Sequence, residues 1–283
     1  GSLVDYREGT TALTVSTGTT NKPDSLSLDL DGRLGELTRA SANLSLDVAG
    51  FVAVQGALAI EKSSQTVTLN DGTEDKPASQ VRVDMLSVGG SGLNAFAGLA
   101  GGYDAQGKLL EGAQGLSLGD VDFGLVLLGE QLTPAQAKAK ATARSWMALQ
   151  ASAASAQVLG LDDITVAADT LTLEINRADK AGTLVDFAAR GLTVQTGTAA
   201  EPARLTLSMD GAQGELTRAR GHRPVDVMGF FQVAGRFAVE KLDSVVTLAD
   251  LPGTPAKNHA KAPVTAEQLR TAATGVQALA GVQ

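Results

Sequence analysis

The residues best suited to chemistry in this chain are three pairs of close aspartates: Asp29 with Asp31, Asp120 with Asp122, and Asp162 with Asp163. Residues at i and i+2 of a strand point to the same face, so the carboxylates of the first two pairs would converge there. Carboxylate oxygens suit a hard cation such as Ca²⁺. A structural calcium ion at Asp29, Asp31, Asp120 and Asp122 is the one cofactor these residues suggest. The plainer reading is a solvated strand face or turn, and Ser208 stands where a second copy of Asp29 would be. The segment Gly89–Ala97 reads GGSGLNAFA and nearly fits the GGxGxDxUx nonapeptide that binds Ca²⁺ in parallel β-rolls, with Asn94 in place of the Asp. Such sites need stacked tandem turns, whereas this is a single imperfect copy, and it reads as a glycine-rich turn.

His222 and His259 are the only histidines, each in polar, proline-containing surroundings, and Asn43 occupies the place that matches His222. Activating a nucleophile usually requires an oriented base, and no Gly-x-Ser-x-Gly, phosphate loop or His-Glu-x-x-His accompanies them. The absence of cysteine removes disulfides, thiolate metal sites and thiol chemistry. The expectation is a protein that is not an enzyme. The net charge of −8 argues against a nucleic-acid partner, because neutralising phosphates takes clustered Lys and Arg. No segment resembles a secretory signal, and no apolar run approaches the roughly 18 residues needed to cross a bilayer. Gly1 and Ser2 read as a remnant of cloning.

What would position any of these residues is a large internal repeat. Gly35–Asp71 reads GELTRASANLSLDVAGFVAVQGALAIEKSSQTVTLND, and Gly214–Asp250 reads GELTRARGHRPVDVMGFFQVAGRFAVEKLDSVVTLAD. The match extends upstream without a gap to Leu13 and Leu192, an offset of 179 positions, with about half of the aligned positions identical. Within it Leu44, Leu46, Val48, Gly50, Val52, Val54, Gly56, Leu58 and Ile60 alternate with a set that includes Ser45, Asp47, Gln55 and Glu61. In the second copy Val225, Val227, Gly229, Phe231, Val233, Gly235, Phe237 and Val239 alternate with Asp226, Gln232, Arg236 and Glu240. Period two predicts strands with one dry apolar face and one polar face. Unbroken, Leu44–Ile60 would make on the order of 55 Å of strand, so Gly50 and Gly56 are expected to bend it into one long curved strand or two collinear ones. The charges repeated at Arg39 and Arg218, Glu61 and Glu240, and Lys62 and Lys241 predict an edge or a cross-strand pair.

The fold class expected is all-β: long curved antiparallel strands with glycine bends, forming an elongated repeat of sandwich, barrel or roll type, with one short helix. A strand is expected over Ala12–Ser16, with a loop from Thr17 to Asp24. Leu26, Leu28 and Leu30, with Leu205, Leu207 and Met209 in the copy, read as a strand, and Asp31-Gly32 and Asp210-Gly211 should turn each of these strands back through the GELTRA stretch as a hairpin. Val81–Val88 and Leu116–Leu128 read as strands separated by a glycine-rich loop, Gly89–Gly107. Thr133, Pro134 and Gln136 offer a capping box and a first-turn proline for a helix near 134–143. Strands resume at Ser145–Ala151, Ile164–Val166 and Leu171–Ile175, and Asp179–Gly182 is a turn into Leu184–Phe187. Gly92–Leu99, GLNAFAGL, returns as Gly275–Val282, GVQALAGV. The competing reading of that tail is an amphipathic helix capped by Thr265. The organisation expected is therefore 1–2 remnant, 3–72 half A, 73–182 half B, 183–250 a second half A, and 251–283 a linker and the start of a second half B, as in an array with a period of about 180 residues.

The units GELTRASANLSLDVAGFVAVQGALAIEK, GLSLGDVDFGLVLL and GLDDITVAADTLTLEINRA resemble repeats of very large, multi-repeat bacterial surface proteins, including giant adhesin-like proteins of the LEPR-XLL type. The resemblance covers most of residues 3–282 and rests on pattern more than on an invariant motif. It implies a secreted or cell-surface spacer repeat whose partners are neighbouring repeats of the same chain, with no catalytic residues to carry over and the host or surface ligand open. The alternative is a β-groove that holds lipid or another apolar ligand, since a long curved sheet with Val, Leu and Phe on one face would line such a trough.

Overall fold

In the computed structural model the described residues are 4–6, 13–28, 32, 35–104, 106–161, 164–222, 225–227, 231–247 and 263–280. They form an all-β protein. The strands are β1 (Leu13–Ser16), β2 (Ser25–Leu28), β3 (Thr38–Val48), β4 (Val52–Thr68), β5 (Gln80–Leu99), β6 (Gln114–Glu130), β7 (Ser145–Leu159), β8 (Ile164–Arg177), β9 (Leu192–Gln195), β10 (Arg204–Leu207), β11 (Leu216–His222), β12 (Val225–Val227), β13 (Phe231–Thr247) and β14 (Pro263–Ala280), with a helix α1 (Pro134–Lys138) after β6. One antiparallel sheet runs β3-β4-β5-β6-β7-β8, then β11 and β12 end to end, then β13 and β14. Hairpins β1–β2 and β9–β10 stand outside it.

The segment Leu44–Ile60 is neither one curved strand nor two collinear ones but two strands that fold back on each other. Ala49 and Gly50 both have positive φ, 50° and 73°, and two such residues in succession make the mirror-image turn whose twist suits a tight hairpin. β4 folds back on β3, pairing Val48 with Val52 and Arg39 with Glu61. The GELTRA stretch likewise does not return against the preceding strand. β10 pairs with β9, and Asp210 instead caps a 3-10 turn, Gly211–Gln213, accepting from the Ala212 N–H at 2.8 Å.

The two copies share their ladders. Val52 faces Ala97 and Gln55 faces Asn94, then the register slips; Phe231 faces Ala280 and Ala234 faces Gln277, then the register slips at the same place. Gly92 and Gly275 hold φ of +58° and +62° there, a left-handed conformation that costs glycine little. The predicted loop Gly89–Gly107 is therefore strand β5 as far as Leu99, and the chain turns only afterwards. The tail is strand β14 along the whole of β13, which overturns the helical alternative at Thr265. The helix expected near 134–143 stops at Lys138. Its cap is as expected, with Gln136 Oε1 accepting from the Thr133 N–H at 2.8 Å, but none of its residues is buried, and so short a helix gains nothing from packing to extend it.

Residues directly opposite one another in an antiparallel pair lie on one face, so the pairings define two faces. One is covered by β9–β10 and by Leu184–Phe187. There Val67, Val83, Met85, Val126, Leu128, Trp146 and Ala148 of the sheet pack against Val185, Phe187, Leu192, Val194, Leu207 and Met209. Asn70 secures the lid, accepting from the Leu184 N–H at 2.8 Å and donating to the Gly211 carbonyl at 3.0 Å. The Trp146 indole N–H donates to the Thr183 carbonyl at 2.9 Å.

Candidate functional site

The opposite face is apolar and, among the described residues, uncovered. Across its middle, Ile60 lies opposite Val88, Val88 opposite Leu125, Leu125 opposite Leu149, and Leu149 opposite Ile175. The next row joins Leu58, Gly90, Phe123, Ala151 and Leu173, and continues through Ala219 to Val239. Towards the other ends of the strands lie Val54, Ala95, Leu118, Ala156 and Ala168. The expected polarity is thus inverted on β4. Ile60 is 43% exposed while Glu61, on the lidded face, is 9% exposed. Leu44, Leu46, Val48, Val52, Leu86, Leu116 and Leu127 are also exposed. The alternating set predicted to be dry is the one turned to solvent, because small residues such as Ala53 and Ala59 on the other side allow β4 to be covered closely.

One end of this face deepens into a cleft of about 710 Å³. Its floor is the cross-strand row Leu86, Leu127 and Met147, with Lys62 opposite Leu86 on one side and Arg177 opposite Met147 on the other. Asp84 also lines it, and its Oδ1 accepts from Ser64 Oγ at 3.2 Å and from Gln131 Nε2 at 2.6 Å. Arg177 lies 4.0 Å from Glu215. The apolar floor thus lies between two cations that stand four strand spacings apart, about 19 Å.

A transverse crease keeps the apolar side chains on one face. β5, β6 and β8 carry positive φ at Gly92, Asp120 and Thr170. The apolar phase of β5 runs Leu86, Val88 and Gly90, then resumes as Ala95 and Ala97; that of β6 runs Leu116 and Leu118, then Phe123, Leu125 and Leu127. An extra residue in each strand shifts the alternation by one, as a β-bulge does.

Asp120 and Asp122 sit on that crease. The Asp122 carboxylate accepts from the Gly92 N–H at 3.0 Å, and the Asp120 N–H reaches Asn94 Oδ1 at 3.4 Å. Asp122 therefore ties down the bulge of the neighbouring strand. Among the described residues no group of three or more His, Asp or Glu is placed to hold a metal ion, so this pair by itself falls well short of the oxygen shell that calcium takes. Asp29, Asp31, Asp162, Asp163 and His259 lie outside the described residues. His222 lies on the lidded side of the sheet, opposite Asp169 and Arg236 in the ladder.

The repeated charges are cross-strand pairs. Arg39 Nε and Nη2 donate to Glu61 at 2.9 and 2.7 Å. Arg218 bonds Glu240 in the same way and reaches across to Glu174 on β8 at 3.3 Å. Near the lid, the Glu130 carboxylate receives Arg144 Nε and Nη2 at 2.8 Å each. These bonds hold Glu130 below the usual carboxylate range and raise the Arg144 guanidinium. The Ser79 hydroxyl and N–H do the same for Asp71, at 2.6 and 2.7 Å.

The apolar groove expected as the alternative is matched in kind, but the cleft residues Leu86, Leu127 and Met147 have no signature within any one strand, because only the ladders bring them side by side. Among the described residues no helix is long and apolar enough to cross a membrane, a fact that says nothing of strands. Comparison with protein-family models, curated proteins and solved structures finds no match to this chain.

Proposed function

We propose that this chain is a non-enzymatic β-sheet repeat whose open apolar face binds hydrocarbon chains, with an anionic head group received at one edge of the floor, by Lys62 or by Arg177. The supporting observation is the cross-strand row Leu86, Leu127 and Met147 between those two cations, continuous with the apolar rows behind it. Contiguous apolar patches beyond a few hundred Å² are rare on soluble proteins and mark binding surfaces. Titration with a fluorescent long-chain fatty acid tests the reading. Saturable binding is expected, and Leu127→Lys or Met147→Lys should abolish it while the circular dichroism spectrum is unchanged. Binding that survives both substitutions would remove the cleft from the account.

A second reading, a spacer repeat of a giant bacterial surface or secreted protein, is favoured by the two ladders that slip register at matching glycines. The two readings are compatible, since successive units that share one sheet would extend one apolar face.

A further inference from the structure

The two hairpins outside the sheet are built alike but placed differently. Leu13 pairs Leu28 and Val15 pairs Leu26, as Leu192 pairs Leu207 and Val194 pairs Leu205. Thr14 and Ser27 hydroxyls meet at 3.3 Å, as Thr193 and Thr206 meet at 3.2 Å. The N–H groups of Thr17 and Gly18 donate to the Asp24 carbonyl, as those of Thr196 and Gly197 donate to Ala203. Yet Leu192 and Val194 are 7% and 1% exposed, while Leu13 and Val15 are 46% and 44% exposed. The second hairpin rests on the sheet built by β4 to β7; among the described residues the first has no such floor.

The strand that follows each hairpin shows the same difference. β11 and β12 lie between β8 and β13. Among the described residues their counterpart β3 pairs β4 on one side only, and all eleven of its residues are exposed. A long free strand edge with unpaired N–H and C=O groups is a template for strand addition. Its charges are set for the same neighbour. Arg218 engages both Glu240 and Glu174, whereas among the described residues Arg39 makes only the Glu61 half of that arrangement.

We propose that β3 and the β1–β2 hairpin together form a docking surface for a further unit of the kind formed by residues 73–182. The last strand of that unit adds to β3 as β8 adds to β11 and β12, and its lidded face receives the hairpin. The junction between β8 and β11 supplies the register. Thr38 takes the place of Thr217 opposite an Ile175 equivalent, Arg39 that of Arg218 opposite a Glu174 equivalent, and Leu46 that of Val225 opposite a Val166 equivalent. The partner is thus a β-strand of alternating apolar residues with a glutamate at the Glu174 position. Docking places the partner's apolar face in line with the one described above, but it does not depend on that face binding any ligand.

The test adds the peptide Ile164–Arg177 in excess to the whole chain and follows hydrogen exchange. The amides of Thr38–Val48 should slow by about tenfold or more, and the Glu174→Lys peptide should protect them less. Unchanged exchange in β3, protection confined to β14, or equal protection by both peptides would overturn the proposal. A second measurement reads the hairpin. When a copy of residues 73–182 is fused ahead of residue 3, Leu13→Glu should lower the Tm of the extended chain and leave that of the original chain unchanged. Equal effects in the two chains would contradict hairpin docking, and an extended chain that does not fold leaves the peptide result to decide. Fatty-acid binding is a separate readout, so either proposal can fail alone.

Discussion

Glu130 is a nearly buried carboxylate that stays charged because Arg144 grips both of its oxygens, and Arg144 also stacks over the Trp146 ring, 5.2 Å from its centre. A carboxylate held below its usual range adds stability that is fully present above that range and is lost as pH falls through the depressed value. Asp71 acts in the same direction. Acid titration of the Tm should therefore show stability falling below the ordinary carboxylate range, and Glu130→Gln should flatten part of that fall. At neutral pH the same substitution should cost about 2 kcal/mol in urea unfolding, the scale of a charge-assisted hydrogen bond. Gly89 makes a different contribution: a Cβ there would lie 2.1 Å from the Gln195 carbonyl oxygen of β9. Gly89→Val should push the hairpin off the sheet and cost about 1–3 kcal/mol, visible as faster hydrogen exchange in Leu192–Leu207. The sequence made Gly89 look like part of a flexible loop, because nothing local shows that another strand crosses above it.

At the level of strands, the alternation in β3 and β4 and the repeated Arg–Glu charges were legible, since both are period-two patterns within a short stretch. The reversal at Ala49–Gly50 was not, because Val48 pairs with Val52, and three residues between the paired positions leave the alternation in phase, so that it looks like one long strand. The crease hid β5, β7 and β8 for the opposite reason. Each changes phase partway, as at Ala151 and Ala156 in β7, so one strand reads as two fragments or as a strand and a loop. The hairpins give a direct comparison of identical sequence positions in different surroundings. Leu192→Ala should cost about 3 kcal/mol, as expected of a buried leucine, whereas Leu13→Ala should stay within about 0.5 kcal/mol. Chemical denaturation of the two variants checks this, and equal costs would mean that the first hairpin is buried after all.

At the scale of the whole sheet, the described residues place a lid on one face and leave the hydrocarbon of the other uncovered. The predicted sorting of residues into apolar and polar faces was legible in the sequence, but which face would be covered was not. That depends on where β9–β10 lands, more than 100 residues from Ile60 along the chain. The lidded face buries Val67, Val83, Val126 and Leu128 under β9–β10 and carries a small residue, Gly89, where the β9 backbone comes close, whereas among the described residues Ile60, Leu86 and Leu127 stand uncovered on the other face. The proposed binding of hydrocarbon chains rests on that asymmetry. It is tested by photo-crosslinking a fatty acid that carries a diazirine on its chain to the detergent-free protein, then mapping the labelled peptides. Labels should fall on Ile60, Leu86, Leu127, Met147 and Leu149, and spare Ala148, Val194 and Leu207. Labelling spread evenly over both faces, or none above the background of an unfolded control, would contradict the account.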